Sequence, residues 1–73
     1  MNNKPERTLR NFLEYLGEMP LTIEENNGKE HFVDLDWRNN DHGIPSYLDY
    51  LLDINVNIVN ADEYGNLTVL LSN

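Results

Sequence analysis

At 73 residues the chain has room for one small domain and not for two separate cores. An apolar fraction of 40% supports a packed globule, and the absence of cysteine excludes a disulfide framework and a thiolate metal site. Thirteen acids against five bases give a net charge of −8, which argues against direct binding to nucleic acid or to an anionic membrane. The charge is uneven. Residues 1–10 carry Lys4, Arg7 and Arg10 against Glu6, whereas residues 11–73 carry only Lys29 and Arg38 against all the other acids. Such a surface suits a basic partner reached by electrostatic steering. The competing explanation is an acidic surface kept for solubility. Met1 to Arg10 is polar and basic and leads into no apolar run, so no signal peptide is expected. No apolar run approaches the roughly 20 residues of a membrane span. A cytoplasmic protein is the resulting expectation.

The first predicted element is a helix over residues 5–16. Pro5 suits a first turn and Gly17 a C-terminal cap. Leu9, Phe12, Leu13 and Leu16 fall at i, i+3, i+4 and i+7 and form an apolar stripe for the core. Arg10 is one turn from Glu14 and within its reach.

A hairpin is expected over residues 21–37, turning at Asn26-Asn27-Gly28. Its second half, His31-Phe32-Val33-Asp34-Leu35-Asp36-Trp37, alternates with the period of a strand that has one buried face. Loop length decides which face. A two-residue turn sets Ile23 opposite Phe32 and splits the apolar residues between two faces. A three-residue loop with Gly28 left-handed sets Glu25 opposite Lys29, Ile23 opposite His31 and Leu21 opposite Val33. The second choice gathers Leu21, Ile23, Val33, Leu35 and Trp37 on one side, and a one-residue slip would undo it. It also sets Glu24 directly opposite Glu30 on the outer side, beside Phe32, Asp34 and Asp36. Like charges so placed are unfavourable.

Arg38 to Gly43 reads as a loop. A short helix is expected over residues 46–53, with Ser46 as N-cap, Asp49 in the capping-box position, and Leu48, Leu51 and Leu52 inward. Tyr47 and Tyr50 fall at its borders. Asp49 and Asp53 repel at i, i+4, and Asp53 lies at the unfavourable end of the helix dipole. A last hairpin is expected over residues 54–71, turning at Asp62-Glu63-Tyr64-Gly65. A four-residue loop there sets Ile58 opposite Val69 and Val56 opposite Leu71. The outer face of this hairpin is then uncharged: Asn55, Asn57, Val59, Thr68 and Leu70. The whole predicts a single α+β domain in the order α-β-β-α-β-β, with a four-stranded antiparallel sheet and two helices packed on one face.

Motifs for chemistry are missing. Asp34-Leu35-Asp36-Trp37-Arg38-Asn39 begins like a calcium loop, but Arg38 takes a ligand position, Asn39 the glycine position, and Pro45 stands where the bidentate glutamate belongs. His31, Asp41 and His42 have no ligand spacing, so no metal and no cofactor are expected, and His31 reads as a structural histidine on the inner face. Ser46 and Ser72 lie in no nucleophile motif, and the isolated glycines form no phosphate cradle. The expectation is a binding protein and not an enzyme.

Its contact residues are then sought among the acids and the aromatics beside them. Glu24, Glu30, Phe32, Asp34 and Asp36 share one predicted strand face, and Asp41, Asp49, Asp53, Asp62, Glu63 and Tyr64 extend the set. In size, acidity, lack of cysteine and lack of catalytic motifs the chain resembles, as a class, the small acidic inhibitors made by phages. These include anti-CRISPR proteins, anti-restriction proteins and inhibitors of DNA glycosylases. The resemblance implies a stoichiometric inhibitor that fills the nucleic-acid-binding groove of an enzyme with a nucleic-acid-mimicking face, in the cytoplasm of a bacterial host. Two alternatives stand beside it. One is an immunity protein or antitoxin for a basic toxin. The other is a self-associating module, such as a homodimer, built on the neutral sheet face or on an edge strand.

Overall fold

The computed structural model describes residues 7–72. It is a small α+β fold: α1 (Leu9–Leu13), β1 (Met19–Glu24), β2 (Glu30–Leu35), a 3₁₀ helix (Ser46–Leu51), β3 (Val56–Ala61) and β4 (Leu67–Leu71). The strands form one sheet in the order β2-β1-β4-β3. Both hairpins are antiparallel, but the central pair, β1 with β4, is parallel, so the sheet is mixed and not antiparallel throughout. After β2 the chain crosses the buried face through the 3₁₀ helix and rejoins the sheet at its far edge. The second hairpin could dock by either strand. β4 alternates Leu67, Val69 and Leu71 and suits a position flanked on both sides; β3, with Asn57 and Asn60, suits an edge.

The first hairpin forms as expected. Leu21 pairs with Val33, Ile23 with His31 and Glu24 with Glu30. The Glu25 amide donates to the Lys29 carbonyl at 2.8 Å and closes the three-residue loop. Gly28 sits there at φ +91°, a conformation open to glycine at little cost. β2 ends at Leu35, so Trp37 is not a strand residue on the inner face. Its indole N–H instead donates to the Leu16 carbonyl at 3.1 Å, which ties the loop after β2 to the end of the first helical segment.

The helices are shorter than expected. α1 begins at Leu9 and not at Pro5, which lies outside the described residues. Thr8 is its N-cap, with Oγ1 accepting from the Asn11 amide at 3.3 Å. Arg7 is not helical: its carbonyl accepts from the Val56 amide at 2.6 Å, and Thr8 bridges Asn55. Arg10 pairs with Asp53 at 3.0 Å and not with Glu14, which also balances the acid at the unfavourable helix end. The second helix is 3₁₀, capped by Pro45 with no side-chain hydrogen bond, so the capping box from Ser46 does not form. Leu48 and Leu51 are three apart, and the 3₁₀ geometry stacks them on one side.

The second hairpin corrects the expected register. The Asp62 amide donates to the Asn66 carbonyl at 2.9 Å, so the loop has three residues and not four. Val59 therefore faces Val69 and Ile58 faces Leu70; a bulge at Asn57 then restores Val56 opposite Leu71. Ile58 moves to the outer face and Val59 to the inner one, the reverse of the expectation.

One core cluster holds these elements together. Leu21, Ile23, Val33, Leu35, Val69 and Leu71 line the inner face of the sheet, and Leu9, Leu13, Ile44, Leu48, Leu51 and Leu52 cover it. Beside the core, His31 Nε2 meets Glu25 Oε2 at 2.7 Å, and the Tyr50 hydroxyl donates to the same oxygen at 2.9 Å. His31 is thus the structural histidine expected on the inner side, and it links the hairpin to the 3₁₀ helix. No helix among the described residues is long and apolar enough to cross a membrane.

Candidate functional site

Both helices pack on one face of the sheet, so the other stands open. Strand pairing arranges its side chains in rows, taken here from β2 across to β3. The first row is Glu30, Glu24, Leu70 and Ile58; the second is Phe32, Thr22, Thr68 and Asn60. Asp34 and Pro20 begin a third, and the Asn66–Asp62 pair at the foot of the second hairpin completes it. Glu30 and Asp34 are exposed and Glu24 is half-buried. Phe32, at 77% exposed, stands between them with no loop over it. Glu24 and Glu30 are direct neighbours, with Cβ atoms about 5 Å apart by strand geometry. Glu30 and Asp34 are about 13 Å apart along β2.

No base pairs with Glu24, Glu30 or Asp34 among the described residues. Arg10 is held by Asp53, and Arg38 by Glu18 at 3.1 Å and Asp36 at 3.5 Å. The open face is therefore acidic and bare toward β2, and neutral with apolar contacts toward β3. Between the halves lies a shallow depression of about 440 Å³, with Thr22 and Thr68 in its floor and Phe32, Asp34, Asp62 and Asn66 around it.

The other predicted contact residues fall elsewhere. Asp36 follows the end of β2 and folds into its own turn. Its carboxylate accepts from the Arg38 amide at 2.9 Å and from the Asn39 side chain at 2.8 Å. The Arg38 backbone hydrogen bond, with the Asn39 side chain and the Arg38 charge, holds its carboxyl below the usual range. Asp62 organises the second turn in the same manner: its carboxylate accepts from the Asn66 and Tyr64 amides and the Asn66 side chain, which lowers its pKa. Glu63 and Tyr64 are exposed at the hairpin tip, Tyr64 at 82%. Asp41 and Asp49 lie on the helical side, around a smaller depression with Asn39, Asn40 and His42. Asp53 is in its pair with Arg10. The sheet thus separates Asp41, Asp49 and Asp53 from Glu24, Glu30, Phe32 and Asp34.

Thr68 and Leu70 lie on the open face as the sequence predicts, Thr22 joins them there, and Ile58, expected on the inner face, completes it. A signal for Ile58 was present. Gly65 follows Asp62 by three residues, just as Gly28 follows Glu25, and both glycines have positive φ. Equal spacing implies equal loop length, and a three-residue second loop turns Ile58 outward.

The fold and this face define a small protein with a four-stranded mixed sheet covered on one side only. Comparison with protein-family models, with curated proteins and with solved structures finds no match.

Proposed function

We propose that the protein is a binding protein that docks the open sheet face onto a basic protein surface and, as a stoichiometric inhibitor, occupies a groove that otherwise takes nucleic acid. The observation that carries this reading is the set of acids Glu24, Glu30 and Asp34 around the exposed Phe32; none of the three acids meets a base among the described residues. Arg10 and Arg38 are engaged elsewhere, so the charge on this face remains for a partner. A strand holds its acids at fixed spacing, so little ordering is required when they meet a charged groove. Phe32 supplies an aromatic anchor of the kind that dominates interface energy. The chemistry is recognition alone: oxyanions presented to arginine and lysine side chains.

The test is capture of partners on the immobilised protein at low salt, followed by a salt step and, separately, by added DNA duplex. A partner released by both, and not captured by the Glu24→Gln, Glu30→Gln, Asp34→Asn variant, is the expected result. Equal capture by that variant refutes the acidic face, and a partner that DNA does not displace refutes groove occupation. An immunity protein for a basic toxin would behave in this second way.

A further inference from the structure

β3 is an edge strand with five of its six residues exposed. Ile58 and Val59 are the large aliphatic residues exposed among the described ones, at 47% and 41%. They lie on opposite faces, as their partners Leu70 and Val69 do. A single added strand would shelter both. The start of the edge is already occupied, because the Val56 amide donates to Arg7 and Asn55 bridges Thr8. The open run is therefore Asn57 to Ala61. Edge strands are usually guarded by lysine, proline or an inward charge. None occurs from Ile54 to Ala61, and the bulge lies at one end of the open run.

Charge decides what fits there. A second copy of this chain also carries −8, and on the β2 edge or the acidic half of the open face it would set carboxylate against carboxylate. The open run of the β3 edge has no ionisable side chain, so two copies meet there without setting carboxylate directly against carboxylate, and only the longer-range repulsion of two acidic chains remains. Residues opposite one another in a sheet share a face, so a two-fold axis must fall on a residue and not between two. Val59 is the midpoint of the open run.

We propose that two copies of this chain pair antiparallel across the β3 edges, about a two-fold axis at Val59. Val59 then faces Val59 of the second copy, and Ile58 faces its Asn60. The interface is isologous, and the product is a continuous eight-stranded sheet with both open faces on the same side. Five residue pairs bury less than the ~1,200 Å² of a standard interface, so the association is weak and depends on concentration.

The test is sedimentation equilibrium of the native chain from roughly 10 μM to 1 mM, a range that spans weak association constants. The mass should rise from 8.5 kDa toward twice that value. The rise should be steeper at high salt, because screening weakens the repulsion between two acidic chains. Val59→Asp and Val59→Lys should each remain monomeric with native circular dichroism, and an equal mixture of the two should dimerise. A native chain that stays at 8.5 kDa throughout overturns the proposal. So does a native dimer whose two Val59 variants do not pair with each other. Salt separates this contact from the acidic face: it strengthens self-pairing and weakens capture of a basic partner, so either can fail alone.

Discussion

Gly43→Ala tests how closely the loop after β2 is packed. Gly43 has φ +86°. Its amide donates to Asn40, and its carbonyl accepts from the Asp36 amide at 2.8 Å. A Cβ there would lie 2.5 Å from Leu35 Cδ1 and 3.2 Å from Trp37 Cζ2. Leu35 is 1% exposed, so its methyl group has no free space to enter. Two costs follow. A side chain at positive φ costs about 1–2 kcal/mol, and overpacking a close-packed core costs about 1–3 kcal/mol. Gly28→Ala is the control, since Gly28 has φ +91° and a Cβ there meets nothing within 4 Å. It bears the first cost without the second. A domain of this size has about 3–5 kcal/mol of stability in total. Gly28→Ala should remain folded at 25 °C, and Gly43→Ala should be largely unfolded or have its urea midpoint near zero. Far-UV circular dichroism is the proper readout, because Trp37 fluorescence reports from the altered site itself. Equal midpoints for the two variants would show that the Leu35 and Trp37 contacts do not constrain this loop.

His31→Leu removes the 2.7 Å contact with Glu25 and should cost about 1.5–3 kcal/mol in urea unfolding, the usual worth of a hydrogen bond to a charged group. Asp36 and Asp62 have lowered folded-state pKa values, so the stability they contribute is present above the ordinary carboxylate range and is lost as pH falls through their folded values. Thermal melts below about pH 4 should show this loss, and Asp36→Asn with Asp62→Asn should flatten it. The hydrogen bond to Glu25 raises the pKa of Tyr50, so its contribution is present below pH 10 and is lost as pH rises through the raised value. Tyr50→Phe should remove that alkaline limb of the melting profile. Glu24→Lys should raise the urea midpoint and abolish capture of a basic partner.

The first hairpin was legible because one local feature, the Asn26–Gly28 loop, decides its register and only one register gathers the apolar residues. The second hairpin was harder for a long-range reason. Whether β3 or β4 docks beside β1 is settled by the path of the chain over the core, not by either strand alone. Its loop is one residue shorter than expected because the Asp62 side chain takes up the Tyr64 and Asn66 amides, which favours a tighter turn than the residue count suggests. The same local competition removed Asp36 from the acidic face. A strand pattern sees an alternating aspartate; the backbone finds a carboxylate acceptor two residues before Arg38 and turns instead. The second helix is 3₁₀ over Ser46–Leu51, and the i, i+3, i+4 spacing of Leu48, Leu51 and Leu52, which suits an α-helix equally, does not distinguish the two.

The Glu24–Glu30 pair is where the fold bears most directly on the proposed function. The loop that buries Leu21, Ile23, Val33 and Leu35 also forces these two acids opposite one another, so the repulsion follows from the register that makes the core. Register does not require two acids, however. A lysine at position 24 would keep every inward residue in place and replace repulsion with a cross-strand pair, a gain of about 0.2–1 kcal/mol. In a domain with little stability to spare, keeping the less stable arrangement is the kind of local conflict that marks a surface retained for a partner. If Glu24→Lys left stability unchanged, that conflict would vanish and the acids could be read as solubilising alone. If it raised stability while binding to a basic partner was lost, the two acids are held opposite each other for the contact they make.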